Sequence, residues 1–201
     1  MSSYTISVPD ETLSTLKQKL SLSRFPDEVG LNRIETAPHS LTTFQLDESG
    51  WDYGAPLADV KRLAKYWENG FDWRAQETKL NEFPNFHRGV KIDGFGELDI
   101  HFLHQKSSSA DAIPLLFIHG WPGSYVEVTK MLPALKESTN GVSFHVVAPS
   151  LPNFGWSEGV KQKGFGLKQY ATMCNQLMKD LGYDAYVTQG QSNLHIFRNQ
   201  C

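Results

Sequence analysis

Ile113-Pro114-Leu115-Leu116-Phe117-Ile118 runs without a break into His119-Gly120-Trp121-Pro122-Gly123-Ser124. The first six residues are apolar with no alternation, the pattern of a strand buried on both faces, as in parallel sheets. The glycines that follow permit a sharp turn and a close approach of backbone to a ligand. Ser124 and Glu127 then stand at the S-x-x-E spacing of a capping box that opens a helix. Strand, glycine-rich turn and helix start together predict a corner whose backbone N–H groups face anything negatively charged placed beside it.

Downstream, the pattern repeats. A helix is predicted to carry Val128, Met131, Leu132 and Leu135, with Pro133 bending it or cutting it short. Phe144 to Pro149 reads as a second buried strand. Leu167, Tyr170, Cys174, Leu177, Met178 and Leu181 share one face of a helix that Gly182 ends. Tyr183 to Gln189 reads as a third strand. Strand, helix, strand, helix, strand is the α/β order, and right-handed crossovers place the three strands parallel in one sheet.

Upstream, the periods differ. Leu13, Leu16 and Leu20 recur at helical spacing after Asp10, a candidate cap, and Arg24-Phe25-Pro26 ends that helix. Residues 27–55 are polar and irregular. Pro56 suits the first turn of a helix with the stripe Leu57, Val60, Leu63, Ala64 and Trp67, ended by Gly70. A shorter helix is expected from Asp72 to Asn81. Core packing is the expected role of the aromatic residues here. Val90 and Ile92, then Leu98, Ile100 and Phe102, alternate around Asp93-Gly94-Phe95-Gly96 and predict a β-hairpin.

Composition narrows the functional classes. The 201 residues are 40% hydrophobic and 20% charged, with a net charge of −3. That balance fits a soluble globular protein and gives no electrostatic case for nucleic acid or an anionic membrane. Two cysteines, Cys174 and Cys201, point to a reducing, cytoplasmic setting. No stretch approaches a membrane span and Met1-Ser2-Ser3-Tyr4 shows no signal pattern, so no N-terminal membrane anchor is expected. His101 and His104 form H-x-x-H, but residues three apart on a strand face opposite sides, so no metal site is expected. Gly94-x-Gly96 lacks the strand-turn-helix setting of a nucleotide fingerprint, and no cofactor is expected.

His119-Gly120-Trp121-Pro122-Gly123 resembles the oxyanion-hole loop of α/β-hydrolases, in the variant of microsomal-type epoxide hydrolases. Trp51-x-Tyr-Gly, Tyr66-Trp67, Phe71-Asp72-Trp73-Arg74, Glu77, Leu80-Asn81 and Phe83-Pro84-x-Phe86 resemble that family's N-terminal domain. The likeness runs from about residue 4 to residue 190, and one departure is Asn153, where the family usually has glycine. It implies a partial α/β-hydrolase fold, a parallel sheet flanked by helices, preceded by a mainly helical extension and a hairpin. The domains implied are 1–106 for the N-terminal domain with its hairpin and 112–201 for the first half of the core.

The family reaction converts an epoxide and water to a vicinal diol. An aspartate on a strained strand-to-helix elbow attacks an epoxide carbon, lid tyrosines protonate the oxygen, and water activated by a His–acid pair hydrolyses the ester. The resemblance places Trp121 as one oxyanion donor, through its backbone N–H, and Asn193 as the second. His119, Gly120, Pro122 and Gly123 complete the loop. At the elbow, Gly190-Gln191-Ser192-Asn193-Leu194, Ser192 holds the aspartate's place and Leu194 holds one that needs a small residue. The 201 residues are therefore expected to be a truncated, inactive form of an epoxide hydrolase. Two alternatives stand beside this. One is a non-catalytic interaction or dimerisation fragment, associating through the sheet edge at Ala185 to Thr188. The other is a serine hydrolase using Ser192, for which the candidate base, His195, lies on the wrong element.

Overall fold

The computed structural model describes residues 1–26, 51, 54–137 and 141–190. Their contacts divide into two compact units. One joins Met1–Ile6 to Thr78–Cys201, and the other is Ser7–Glu77.

The larger unit is built on one six-stranded sheet. Its strands are β1 (Ser2–Ser3), β2 (Asn85–Ile92), β3 (Gly96–Gln105), β4 (Ile113–Ile118), β5 (Phe144–Pro149) and β6 (Val187–Gly190), in the order β1-β2-β3-β5-β4-β6. The expected hairpin forms with Val90 opposite Leu98 and Phe86 opposite Phe102. The three later strands are parallel, as their crossovers require. What the periodicity did not reveal is that β3 lies antiparallel against β5, from Phe102↔Pro149 to Gln105↔Val146. The hairpin is thus part of the sheet, which is mixed. Counting to one face, Val90, Ile92, Leu98, Ile100 and Phe102 meet Leu116, Ile118 and Val147 under helix α5 (Leu167–Asp180). Cys174, Leu177 and Met178 bury the underside of that helix, but Leu167 in its first turn is exposed, against expectation. Gly182 at φ +86° closes it with a Schellman turn, Tyr183 N–H bonding Met178 O and Gly182 N–H bonding Lys179 O. That turn shortens the last strand. Tyr183 to Tyr186 stay outside the sheet, and pairing with β4 begins at Leu115↔Val187.

The opposite face of the hairpin is exposed toward its turn, at Lys91, Glu97 and Asp99, and buried at its other end, where Asn85 and His101 form a polar cluster. His101 donates from Nε2 to Asn85 Oδ1 at 3.1 Å and accepts at Nδ1 from Ser150 Oγ at 2.9 Å. The direction follows from Asn85, whose Nδ2 is spent on the Leu80 and Phe83 carbonyls, leaving Oδ1 as acceptor. Burial holds the His101 pKa down at about 3, so the ring is neutral. His104 faces the other way, as expected for its spacing, and bonds the Tyr183 hydroxyl at 2.9 Å. Its pKa is held at about 4, again chiefly by burial.

In the smaller unit, α1 (Asp10–Ser21), α2 (Leu57–Asn69) and the start of α3 (Trp73–Asn81) form where the apolar spacing places them. Asp10 is the first helical residue, not the cap, and it pairs with Arg74. Glu77 is buried and accepts from Val8 N–H at 2.6 Å, Trp73 Nε1 at 3.1 Å and Arg74. The Val8 bond above all holds its carboxyl below the usual range. Core packing fails as the account of α2. Val60, Leu63, Tyr66 and Trp67 are exposed and no residue of the helix is fully buried. Periodicity identifies an apolar face and leaves open what covers it. Most of the irregular stretch 27–55 lies outside the described residues. Among the described residues no helix is long and apolar enough to cross a membrane.

Asn153 sits at φ +72°, the left-handed region where glycine is free and asparagine is tolerated, which explains how it can stand where the family has glycine. Its Oδ1 also accepts from Val160 N–H at 2.9 Å. Asn153→Ala is expected to be less stable than Asn153→Gly by about 1 kcal/mol in chemical denaturation, the scale of the left-handed penalty for a Cβ. Equal stability of the two would contradict this backbone reading.

The buried histidines set the acid response. An unfolded histidine titrates near 6.5 and folded His101 near 3, so its contribution is whole above about pH 6.5 and is lost as pH falls toward 3. Denaturation midpoints at about pH 7.5 and about pH 4.5 should show a loss approaching 1.4 kcal/mol per pH unit for each such histidine. His101→Gln should be less stable at neutral pH and show a shallower acid loss.

Candidate functional site

The corner after β4 is where backbone and side chains converge. His119 is fully buried. Its Nδ1 lies 3.0 Å from the Gly120 carbonyl oxygen, and its Nε2 lies 3.2 Å from Leu151 N. A carbonyl can only accept and an N–H can only donate, so the ring carries its proton on Nδ1 and is neutral. Burial pushes its pKa down, against the opposing pull of the Gly120 carbonyl and the Glu127 charge. The Phe154 ring packs edge-on against it at 5.0 Å.

Beyond His119 the chain turns through Gly120 and a cis Trp121–Pro122 bond. Trp121 is 77% exposed, and no described group accepts its backbone N–H. Gly123 has a steric reason to be glycine. A Cβ there would lie 2.0 Å from Glu127 Oε1 and 2.9 Å from the Gly120 oxygen. The capping box forms as its spacing predicts. Ser124 Oγ accepts from Val126 N–H at 3.4 Å and Glu127 Oε1 accepts from Ser124 N–H at 3.1 Å. What it caps is a single 3₁₀ turn, Tyr125–Val128, instead of the expected continuous helix. The chain restarts as α4 (Leu132–Lys136), with Pro133 in its first turn, where the missing N–H costs nothing. Tyr125 and Val128 anchor the turn in the core, the Tyr125 ring edge-on to His101 at 4.8 Å. An unpaired N–H held at a rigid corner is a donor for an oxygen that carries or develops negative charge.

The structure brings His119, Gly120, Trp121, Pro122 and Gly123 together with Leu151, which sequence reasoning did not include. No sequence signal marks Leu151. Its part is played by a backbone N–H that only the parallel pairing of β4 with β5 brings beside His119. Ser192, Asn193 and His195 lie outside the described residues. A second cluster looks more like a catalytic relay: Ser150, His101 and Asn85 are linked in the order hydroxyl, imidazole, amide. All three are buried, with Ser150 and His101 at 0% exposure, so no substrate reaches the hydroxyl. The helical unit holds a cavity of about 450 Å³ lined by Leu13, Leu16, Trp67 and Phe71 among others. Its polar lining includes Asp10, which pairs with Arg74, together with Ser14, Lys17 and Asp72, and no relay of hydroxyl, base and acid is formed among them.

Comparisons with known proteins agree with this geometry. The profile of the epoxide hydrolase N terminus matches residues 1–128, and that of the α/β-hydrolase fold matches residues 113–192. A putative epoxide hydrolase of Stigmatella aurantiaca is 38% identical over 192 residues, covering 93% of this chain and 39% of the relative. Epoxide hydrolase 1 of Sus scrofa is 40% identical over 154 residues, covering 72% of this chain and 33% of that protein. The structure of Aspergillus niger epoxide hydrolase superposes with a TM-score of 0.76 at 33% identity, over 98% of this chain and 47% of that one. The chain thus spans roughly two fifths of the length of the curated relatives it matches. With residues 1–128 matching the epoxide hydrolase N terminus and residues 113–192 the α/β-hydrolase fold, the chain belongs to the epoxide hydrolase family, on an α/β-hydrolase fold.

Proposed function

We propose that this chain carries the oxyanion corner of an epoxide hydrolase and that the 201 residues do not turn over epoxide. The observation that carries the first half is the Trp121 N–H, unpaired among the described residues at a corner held by buried His119. In the family reaction the ester carbonyl oxygen gains charge when water attacks. Trp121 N–H, with the N–H of Asn193 following the elbow, would meet that charge. The second half rests on the residue at the elbow. A Ser192 hydroxyl cannot replace a carboxylate as an unassisted nucleophile at neutral pH, and the one histidine that follows it, His195, is only three residues away in the sequence, where the family pattern has no base. The same reading makes a small-molecule epoxide the substrate class of the complete site. The cytoplasm is its setting, on the low cysteine count.

The purified chain is expected to form diol from an aryl epoxide such as styrene oxide no faster than buffer does. Ser192→Asp should yield at most a covalent adduct, seen by mass spectrometry, without turnover. Diol formation that disappears in Ser192→Ala would overturn the proposal and establish a serine hydrolase.

One observation favours a second, non-catalytic role. Strand β6 pairs with β4 on one side and with no described strand on the other, and its Val187 is 45% exposed. An open edge of this kind is a template for another strand, and a second copy of the chain supplies one. Sedimentation should show species larger than a monomer, and Val187→Lys should shift them toward monomer. A compact monomer with one sharp melt would refute self-association.

A further inference from the structure

The proposal above treats the Trp121 N–H as a donor and leaves open what aims it. The Gly120–Trp121 peptide is trans and planar, so its carbonyl and its N–H point in opposite directions. Whatever fixes the Gly120 carbonyl therefore fixes the Trp121 N–H. Glycine at 120 cannot do so alone, because it rotates freely between conformations barred to other residues.

We infer that His119 is the positioning residue of this corner, turning the Gly120 carbonyl inward through its Nδ1–H and thereby holding the Trp121 N–H outward as the oxyanion donor. This rests on the oxyanion reading of Trp121 and deepens it. The ring is buried, and its second nitrogen is tied to Leu151 N–H at the start of the loop after β5. The imidazole is a rigid strut with a donor at one corner and an acceptor at the other, so it locks the turn after β4 to the end of β5. On the far side, Glu127 holds Ser124 N–H and lies against the bare Cα of Gly123, which limits how the turn can relax. Only the neutral Nδ1–H tautomer performs both tasks. An imidazolium would set two N–H groups against each other at Leu151.

Asparagine and glutamine separate the two nitrogens. The amide nitrogen of His119→Asn can occupy the Nδ1 site and keep the bond to Gly120 O while losing the Leu151 acceptor. The amide oxygen of His119→Gln can occupy the Nε2 site and keep the Leu151 bond while losing the Gly120 donor. In the ¹⁵N-labelled full chain, the Trp121 amide resonance is expected to shift in His119→Gln, where its peptide loses the bond to the Gly120 carbonyl, and to stay near its wild-type position in His119→Asn. Leu151 amide exchange, which the bond to His119 slows, should quicken about tenfold in His119→Asn, the worth of one hydrogen bond, and stay near wild type in His119→Gln. A merely structural histidine would move both amides alike in both variants, and that result overturns the inference. So does an unchanged Trp121 amide in His119→Gln. Should the variants not fold, long-range ¹H–¹⁵N correlations on the wild-type ring decide: Nδ1 protonated with Nε2 bare supports the inference, and Nε2–H or an imidazolium near neutral pH overturns it. None of these readouts involves turnover, so they stand or fall separately from the epoxide assay.

Discussion

The antiparallel seam between β3 and β5 is the constraint on which the larger unit depends. Four residue pairs, from Phe102↔Pro149 to Gln105↔Val146, join the hairpin to the parallel strands. Without them the hairpin would have only the two-residue strand β1 beside it, little more than a two-stranded ribbon, which is marginal in water. With them, one face of the hairpin closes over α5, and the end of the other face next to β5 becomes an interior in which His101, Asn85 and Ser150 must satisfy one another. The seam continues past the strand ends. Ser150 N–H bonds the His101 carbonyl, and Ser157 Oγ accepts from His101 N–H while donating to Ser150 O. The loop after β5 is thereby set by the hairpin before it reaches the corner.

From that loop the order passes to the corner. Leu151 N–H, just past the seam, is the group that receives His119 Nε2, and Phe154 covers the ring. Asn153 in the left-handed region turns the loop between them, and Glu158 reaches back to Asp99 of β3, its carboxylate and its N–H each bonding the Asp99 backbone. A backbone donor at a turn has little stiffness of its own. Here it inherits the stiffness of two strands and a hairpin, which is how preorganised electrostatic sites are held without a dedicated scaffold.

Two polar clusters illustrate why residue type alone is a poor guide to chemistry. Ser150, His101 and Asn85 have the composition of a hydrolytic relay, yet burial keeps them from any substrate and fixes the imidazole as neutral. His119 has a single polar ring in an apolar setting, the pattern of a satisfied core histidine. It is that, and its partners are the backbone groups of the corner itself. Exposure and partners, not identity, distinguish the two.

The sequence by itself determined the local elements. The unbroken apolar run of β4, the alternation of β2 and β3, the helical spacing of α1 to α3 and α5, and the Gly182 cap all depend on a few neighbouring residues. Their physical causes act over one or two turns or strands. The glycine-rich corner and its resemblance to the epoxide hydrolase loop were legible for the same reason. Tertiary structure decided the rest. It made the sheet mixed, left the apolar stripe of α2 exposed, cut the helix after Ser124 to one 3₁₀ turn, and shortened the last strand to Val187–Gly190. It also chose Leu151 as the partner of His119. Each of these depends on backbone groups far apart in sequence meeting at hydrogen-bonding distance, and a backbone N–H carries no mark in the sequence of which partner it will find.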